Sequence, residues 1–137
     1  MILVDTGPLV ALFDAKDSQH RRCTETLRQI RQPLQTTIPV LTEAFHLVQP
    51  HSTGAAKLRE FINTEALSIF FFDHGALVRA FELMELYADH PMDFADASLV
   101  VSAERMGTSR IFTIDRKHFE SYRIWRGHRH ESFEILS

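Results

Sequence analysis

The chain has 137 residues, 45% hydrophobic and 24% charged, the make-up of one folded domain able to bury roughly two thirds of its unfolded surface without staples. A single cysteine, Cys23, excludes a disulfide scaffold and fits a reducing compartment. Fifteen Lys and Arg against eighteen Asp and Glu give a formal charge of −3, which argues against a general basic coat for nucleic acid but leaves room for a local patch.

In chain order, Ile2-Leu3-Val4 reads as a short buried strand ending at Asp5. Thr6-Gly7-Pro8 interrupts the pattern, and Leu9 to Phe13 follows as a short helix. Asp17 or Ser18 caps a helix running to about Arg31, with Cys23, Leu27 and Ile30 on its narrow apolar side. Leu34 to Thr37 is a strand candidate. Pro39 then opens a helix that carries Val40, Leu41, Ala44, Phe45 and Val48 and ends near Pro50. Ser52 caps the next helix, with Ala56, Leu58, Phe61 and Ile62 turned inward. Leu67 to Phe71 is a strand bounded by Asp73 and Gly75, and Leu77 to Tyr87 has helical spacing. Pro91 and Asp93 start a helix that passes through Leu99, Val100 and Ala103 and is closed by Gly107. Arg110 to Ile114 is a fourth strand, ending at Asp115, and Ser132 to Leu136 a fifth. Strands alternating with helices predict a three-layer α/β/α sandwich around a mostly parallel sheet of about five strands. No linker or repeat divides it, so one domain spanning 1–137 is expected. No run has the length of a signal-peptide core or of a membrane span, so a cytoplasmic protein without a membrane partner is expected.

In an open parallel sheet, ligands bind beyond the carboxyl ends of the strands. Asp5 and Asp115 stand at such ends. Glu43 and Asp96 lie early in helices facing the same edge, and Asp93 shares a helix face with Asp96. Like charges that close repel one another unless a cation or protons join them. Oxygen donors without His or Cys suit Mg²⁺ or Mn²⁺, and a carboxylate-held divalent ion suits phosphoryl chemistry. Each helix acid has a plainer role as well: Asp93 as an N-cap, Asp96 and Glu43 as first-turn acids favoured by the helix dipole. An acid directly after a buried strand has no such routine role, which singles out Asp5 and Asp115.

At these residues the sequence resembles a known family. Leu3-Val4-Asp5-Thr6-Gly7-Pro8-Leu9 is similar to the opening motif of PIN-domain ribonucleases, and Pro39-Val40-Leu41-Thr42-Glu43-Ala44 to their second acidic motif. Met92-Asp93-Phe94-Ala95-Asp96-Ala97-Ser98 resembles the third, and Thr113-Ile114-Asp115-Arg116-Lys117-His118-Phe119 the fourth. Four motifs in order cover nearly the whole chain, and the likeness is to the small stand-alone members that include VapC-type toxins. The resemblance implies a Mg²⁺- or Mn²⁺-dependent endoribonuclease, the toxin of a toxin–antitoxin pair, with RNA as substrate, an antitoxin protein as partner and a homodimeric state. By motif, Asp5, Glu43, Asp96 and Asp115 are its metal-binding and catalytic acids. Asp93 supports them, and Thr6 and Thr113 are the hydroxyls that hydrogen-bond them. Hydrolysis without a covalent protein intermediate, leaving a 5′ phosphate, is the implied course.

Beyond Asp115 the chain is basic, and Arg116, Lys117 and Arg126 are candidate contacts for RNA phosphates. Tyr122 and Trp125 could stack on unpaired bases, whereas Phe119 fits the core. His20 and Cys23 could supply half of a zinc site, although no second half is evident. Two other readings stand beside the nuclease: a binding module that grips RNA or protein on the same fold without cleaving, and a phosphatase, which lacks the Asp-x-Asp start. Setting aside the five clustered acids leaves fifteen basic against thirteen acidic side chains. The negative total thus reflects the proposed site rather than the surface that RNA would meet.

Overall fold

The computed structural model describes residues 1–137. The first half contains β1 (Ile2–Val4), α1 (Thr6–Phe13), α2 (His20–Gln29), β2 (Leu34–Thr37), α3 (Ile38–Val48), α4 (Thr53–Asn63) and β3 (Leu67–Phe70). The second contains α5 (His74–Leu86), α6 (Phe94–Met106), β4 (Arg110–Phe112), α7 (Arg116–Ser121), β5 (Arg123–Trp125), β6 (His130–Ser132) and β7 (Glu134–Leu136). Five strands form one sheet in the order β3-β2-β1-β4-β7, and every neighbouring pair is parallel. The predicted α/β architecture is the observed one.

Chain order decides where a site can form. From β1 the chain steps outward to β2 and β3, then returns to the opposite side of β1 as β4. The junction of β1 and β4 is therefore the topological switch point, where a crevice opens beyond the strand ends. All residues of β1 and β2 are buried, as strands covered on both faces must be. The core holds Ile2, Leu3, Val4, Leu99, Val100, Ile111, Phe112 and Phe119 among its 28 buried residues.

Helix α6 is the most enclosed helix, with Ala95 and every residue from Ala97 to Ala103 buried. Its small side chains let the backbone approach β2 closely, and its polar ones find partners there. The Ser98 and Thr37 hydroxyls share a hydrogen bond of 2.6 Å, and Ser102 donates to Gln35 Oε1 at 3.1 Å. The N-terminus of α6 is thereby fixed against the strand ends.

Element boundaries moved where a cap was misread. α1 begins at Thr6 rather than Leu9, because Pro8 falls in the first turn, where a missing N–H costs nothing. α3 begins at Ile38 under a Thr37 cap. α5 begins at His74, with Asp73 accepting from the Ala76 N–H at 2.7 Å. β3 and β4 end at Phe70 and Phe112, short of the predicted Phe71 and Ile114. α7 and the β5–β6 hairpin went unpredicted inside the basic stretch.

Arg126 requires a correction. The sequence reading gives it to RNA phosphates, but its guanidinium turns inward and its side chain is only 14% exposed. It donates to Glu131 Oε2 and to the carbonyls of Ala103 and Thr108, each at 2.8 Å. It thereby ties the hairpin to the end of α6, and all three of its donor nitrogens are occupied. Arg126→Ala is expected to lower stability by about 2–4 kcal/mol, the worth of its charge-assisted bonds to the two carbonyls, with the salt dependence of RNA binding unchanged; denaturant titration and binding at several salt concentrations check both. A second expectation concerns Gly54, where an added Cβ would lie 2.3 Å from the Phe13 carbonyl oxygen. Gly54→Ala should lower the melting temperature despite a helix-propensity gain of up to about 1 kcal/mol, because backbone of α1 cannot yield cheaply.

Candidate active site

The five candidate acids line one cleft of about 420 Å³, together with Thr6, Gly7, Pro91, Ile114 and His118. They arrive on four separate pieces of chain. Asp5 ends β1, Glu43 projects from α3, Asp93 and Asp96 open α6, and Asp115 follows β4. Because the sheet is parallel and β1 and β4 are neighbours, the strand-end acids come together at the switch point.

Asp5 is buried, and each of its oxygens is held. Oδ1 accepts from the Thr6 N–H at 2.8 Å, and Oδ2 accepts from the Thr113 hydroxyl at 2.7 Å. The Thr6 hydroxyl donates instead to Glu43 Oε1 at 2.8 Å. Thr6 and Thr113 therefore stand where the motifs put them, each against an acid. Burial dominates the Asp5 carboxyl and pushes it up to about 6, over the lowering effect of the two hydrogen bonds and with added repulsion from Asp115 and Glu43.

Asp93 and Asp96 form a reciprocal capping box at the start of α6. The Asp96 N–H donates to Asp93 Oδ1 at 2.8 Å, and the Asp93 N–H approaches Asp96 Oδ2 at 3.4 Å. The Tyr122 hydroxyl donates to the same Oδ2 at 3.0 Å. The Asp96 carboxyl is raised, first by burial and then by the charges of Asp93 and Asp5. Tyr122 is raised too, by burial and by Asp96, so its phenol stays protonated and acts as a donor.

Asp115 caps α7, accepting from the His118 N–H at 3.2 Å, while its Oδ2 lies 2.5 Å from His118 Nδ1. This corrects one step of the sequence argument. Both strand-end acids do have a routine role, because Asp5 caps α1 and Asp115 caps α7. Glu43 moves the other way. α3 starts at Ile38, which puts Glu43 beyond the first turn, so the helix dipole no longer accounts for it.

The donor set is hard oxygen throughout, apart from one imidazole, and no Lys or Arg lines the cleft. As they stand, no three of the carboxyl and imidazole groups are placed to hold an ion by themselves; an ion held by one or two carboxylates, with water and substrate phosphate completing its coordination, is the arrangement Mg²⁺ prefers.

The remaining candidates separate. Arg116 and Lys117 open α7 beside Asp115, with Arg116 half-exposed and near Glu120. Tyr122 is fully buried and unavailable to bases. Trp125 is 40% exposed with its ring against His130. His20 is bonded through Nδ1 to the Ala11 carbonyl and Cys23 is buried, its thiol raised by that burial. Sequence reasoning missed the tie between His118 and Asp115, although their spacing of three at a helix start was the signal for it.

The PIN domain family model matches residues 2–124. Ribonuclease VapC26 of Mycobacterium tuberculosis is 30% identical over 125 residues, which span 89% of this chain and 92% of that protein. Among solved structures, M. tuberculosis VapC20, a sarcin-ricin loop cleaving toxin, superposes with a TM-score of 0.78 at 18% identity, over 86% of this chain and 92% of its own. A toxin–antitoxin complex from Klebsiella pneumoniae gives 0.62 at 17% identity, over 88% and 92%. With its motif acids set around the cleft at the switch point and the family model spanning all but the last strands, the chain belongs to the PIN-domain family.

Proposed function

We propose that residues 1–137 act as a single nuclease domain, a Mg²⁺- or Mn²⁺-dependent endoribonuclease that serves as the toxin of a toxin–antitoxin pair. The observation that carries this reading is the convergence of Asp5, Glu43, Asp96 and Asp115 on one open cleft in a PIN-domain chain. Kinship with a protein named a ribonuclease and the fold shared with a toxin–antitoxin complex support it. Asp5 and Asp96 are the central ligands, with Glu43 and Asp115 beside them. A bound divalent ion would polarise the phosphoryl group and offset charge on the departing 3′ oxygen. The chain's own part is to hold the acids still. Thr6 and Thr113 orient Asp5 and Glu43, the capping box orients Asp96, and His118 orients Asp115. Arg116 and Lys117, at the cleft's edge, meet RNA phosphates.

The reading also assigns protein partners. Phe71 is 70% exposed, Phe81 55%, Val78 42% and Ile38 45%. A soluble surface this apolar is the contact area for a second copy of the chain. The Klebsiella complex supports an antitoxin as a further partner. No helix is long and apolar enough to cross a membrane.

Asp5→Asn and Asp96→Asn each remove an anionic ligand at nearly constant shape. Cleavage of an RNA oligonucleotide with Mn²⁺ is expected to fall at least about 100-fold in each. Cleavage retained in either variant would remove that acid from the site, and wild-type protein that binds RNA without cutting it would favour the binding module.

The raised carboxyl of Asp5 makes stability depend on pH. Between about pH 4 and 6 the folded metal-free protein keeps a proton on Asp5 that the unfolded chain has lost. Stability therefore falls as pH rises through that window, by up to about 3 kcal/mol for a shift of this size. Asp5→Asn should abolish this contribution, so that the metal-free variant is the more stable protein at pH 7 and the advantage fades below pH 4; thermal melts in chelator across this range measure it. Phe81→Glu should leave the melting temperature within a few degrees and shift sedimentation towards monomer.

A further inference from the structure

We propose that Tyr122 is the positioning residue that fixes Asp96 for metal binding and hydrolysis, an assignment that rests on the nuclease reading above. Tyr122 terminates α7 and is wholly buried. Its hydroxyl donates to Asp96 Oδ2 at 3.0 Å, whereas the other donor to that oxygen, the Asp93 N–H, stands at 3.4 Å, beyond the usual range for such a bond. The phenol is thus the stronger hold on Oδ2. Asp96 Oδ1 carries no hydrogen bond within the chain and is the oxygen left for a ligand.

The hold is rigid because the ring cannot swing. Phe119 and Tyr87 meet it edge-on at 5.1 and 5.3 Å, and His118 stacks on it at 6.4 Å. Tyr87 is fixed in turn, its hydroxyl accepting from the Arg123 N–H at 2.9 Å. A carboxylate about its terminal torsion is a broad two-fold rotor. An immobile donor on one oxygen turns it into a ligand with a set direction. The cost of ordering is met by core packing rather than when the ion or RNA binds. Asp5 needs no such help, since its two oxygens are already held by Thr6 and Thr113.

Tyr122→Phe removes the hydroxyl and keeps the ring. The test measures Mn²⁺ binding by electron paramagnetic resonance in the absence of RNA, kcat and KM on an RNA oligonucleotide, and the melting temperature, in the full chain and again in the Asp96→Asn background. Loss of an outer-shell hydrogen bond of this kind weakens metal affinity and activity about 10–100-fold. We therefore expect Mn²⁺ affinity and kcat to fall about tenfold or more while KM stays within about twofold. In the Asp96→Asn background the same change should cost nothing further, because its target is gone. Wild-type Mn²⁺ affinity and kcat in Tyr122→Phe, beside an inactive Asp96→Asn, would overturn the assignment and leave the nuclease reading standing. Equal losses in both backgrounds would also overturn it, by showing that the hydroxyl acts on the fold at large. A wild-type protein that binds no Mn²⁺, or whose cleavage survives Asp96→Asn, would end both readings.

Discussion

The structure turns on gathering five carboxyls around one cleft with one of them, Asp5, buried away from water. β1 lies between two parallel neighbours with its faces covered, so Asp5, the residue that ends it, is itself buried although the cleft beyond it is open. At Asp5 the opposing effects can be weighed. Two hydrogen bonds to the ionised form lower its pKa, yet desolvation and the neighbouring acids outweigh them, and the carboxyl settles near 6. Folding alone does not favour such an arrangement. Apolar burial elsewhere must carry it, and the enclosed helix α6 and the strands of the central sheet supply that burial.

Capping and chemistry are joined in the same side chains. Asp5, Asp93 and Asp115 each accept a backbone N–H at the start of a helix. A cap of this kind contributes about 0.5–2 kcal/mol to stability. It also occupies one oxygen and fixes the carboxylate's direction. A structural role for an acid is therefore no argument against a functional one. At Asp5, Asp93 and Asp115 the local energetics of helix initiation do part of the aiming, and side chains from elsewhere, Thr113 on Asp5 and Tyr122 on Asp96, complete it.

The sheet, the long helices and the acid cluster were legible in the sequence because each rests on a short-range signal. Continuous apolar runs marked the buried strands, Ser52 and Asp93 marked helix starts, and Gly107, at φ 69°, marked a helix end. What failed was tertiary. The stretch from Arg116 to Ser132 is rich in charge and aromatics and has no clean period, so it read as surface. Arg116, Lys117, Arg123 and Arg129 do stay at the surface, but Arg126 turns inward onto Glu131 and two carbonyls, and the Trp125 N–H is taken by Glu104 of α6, itself bound to Arg79 by two bonds of 2.9 Å. Apart from Arg126 with Glu131, five residues on, these pairings span 18 to 25 residues and leave no trace in local pattern. Tyr122 was misread for the same reason, since nothing near it in sequence announces that its hydroxyl meets Asp96.

The charge balance can now be divided. Arg79 with Glu104 and Arg126 with Glu131 are internal pairs that cancel wherever they sit, and they say nothing about ligands. The cleft is different, because it gathers five acids with no lysine or arginine among its lining residues. Apart from the His118 imidazole against Asp115, nothing in the cleft offsets them, so the neutralising charge comes mainly from solution, as protons on the raised carboxyls or as a bound cation. Burial raises the Asp5 and Asp96 carboxyls towards protonation, and the five acids together set a surplus of carboxyl oxygens around one open space. A hard divalent ion relieves that repulsion and has an affinity for phosphate that the acids alone would repel. The same surplus of acid that makes the metal-free cleft costly to fold is what the proposed metal-assisted reaction on a phosphodiester would draw on.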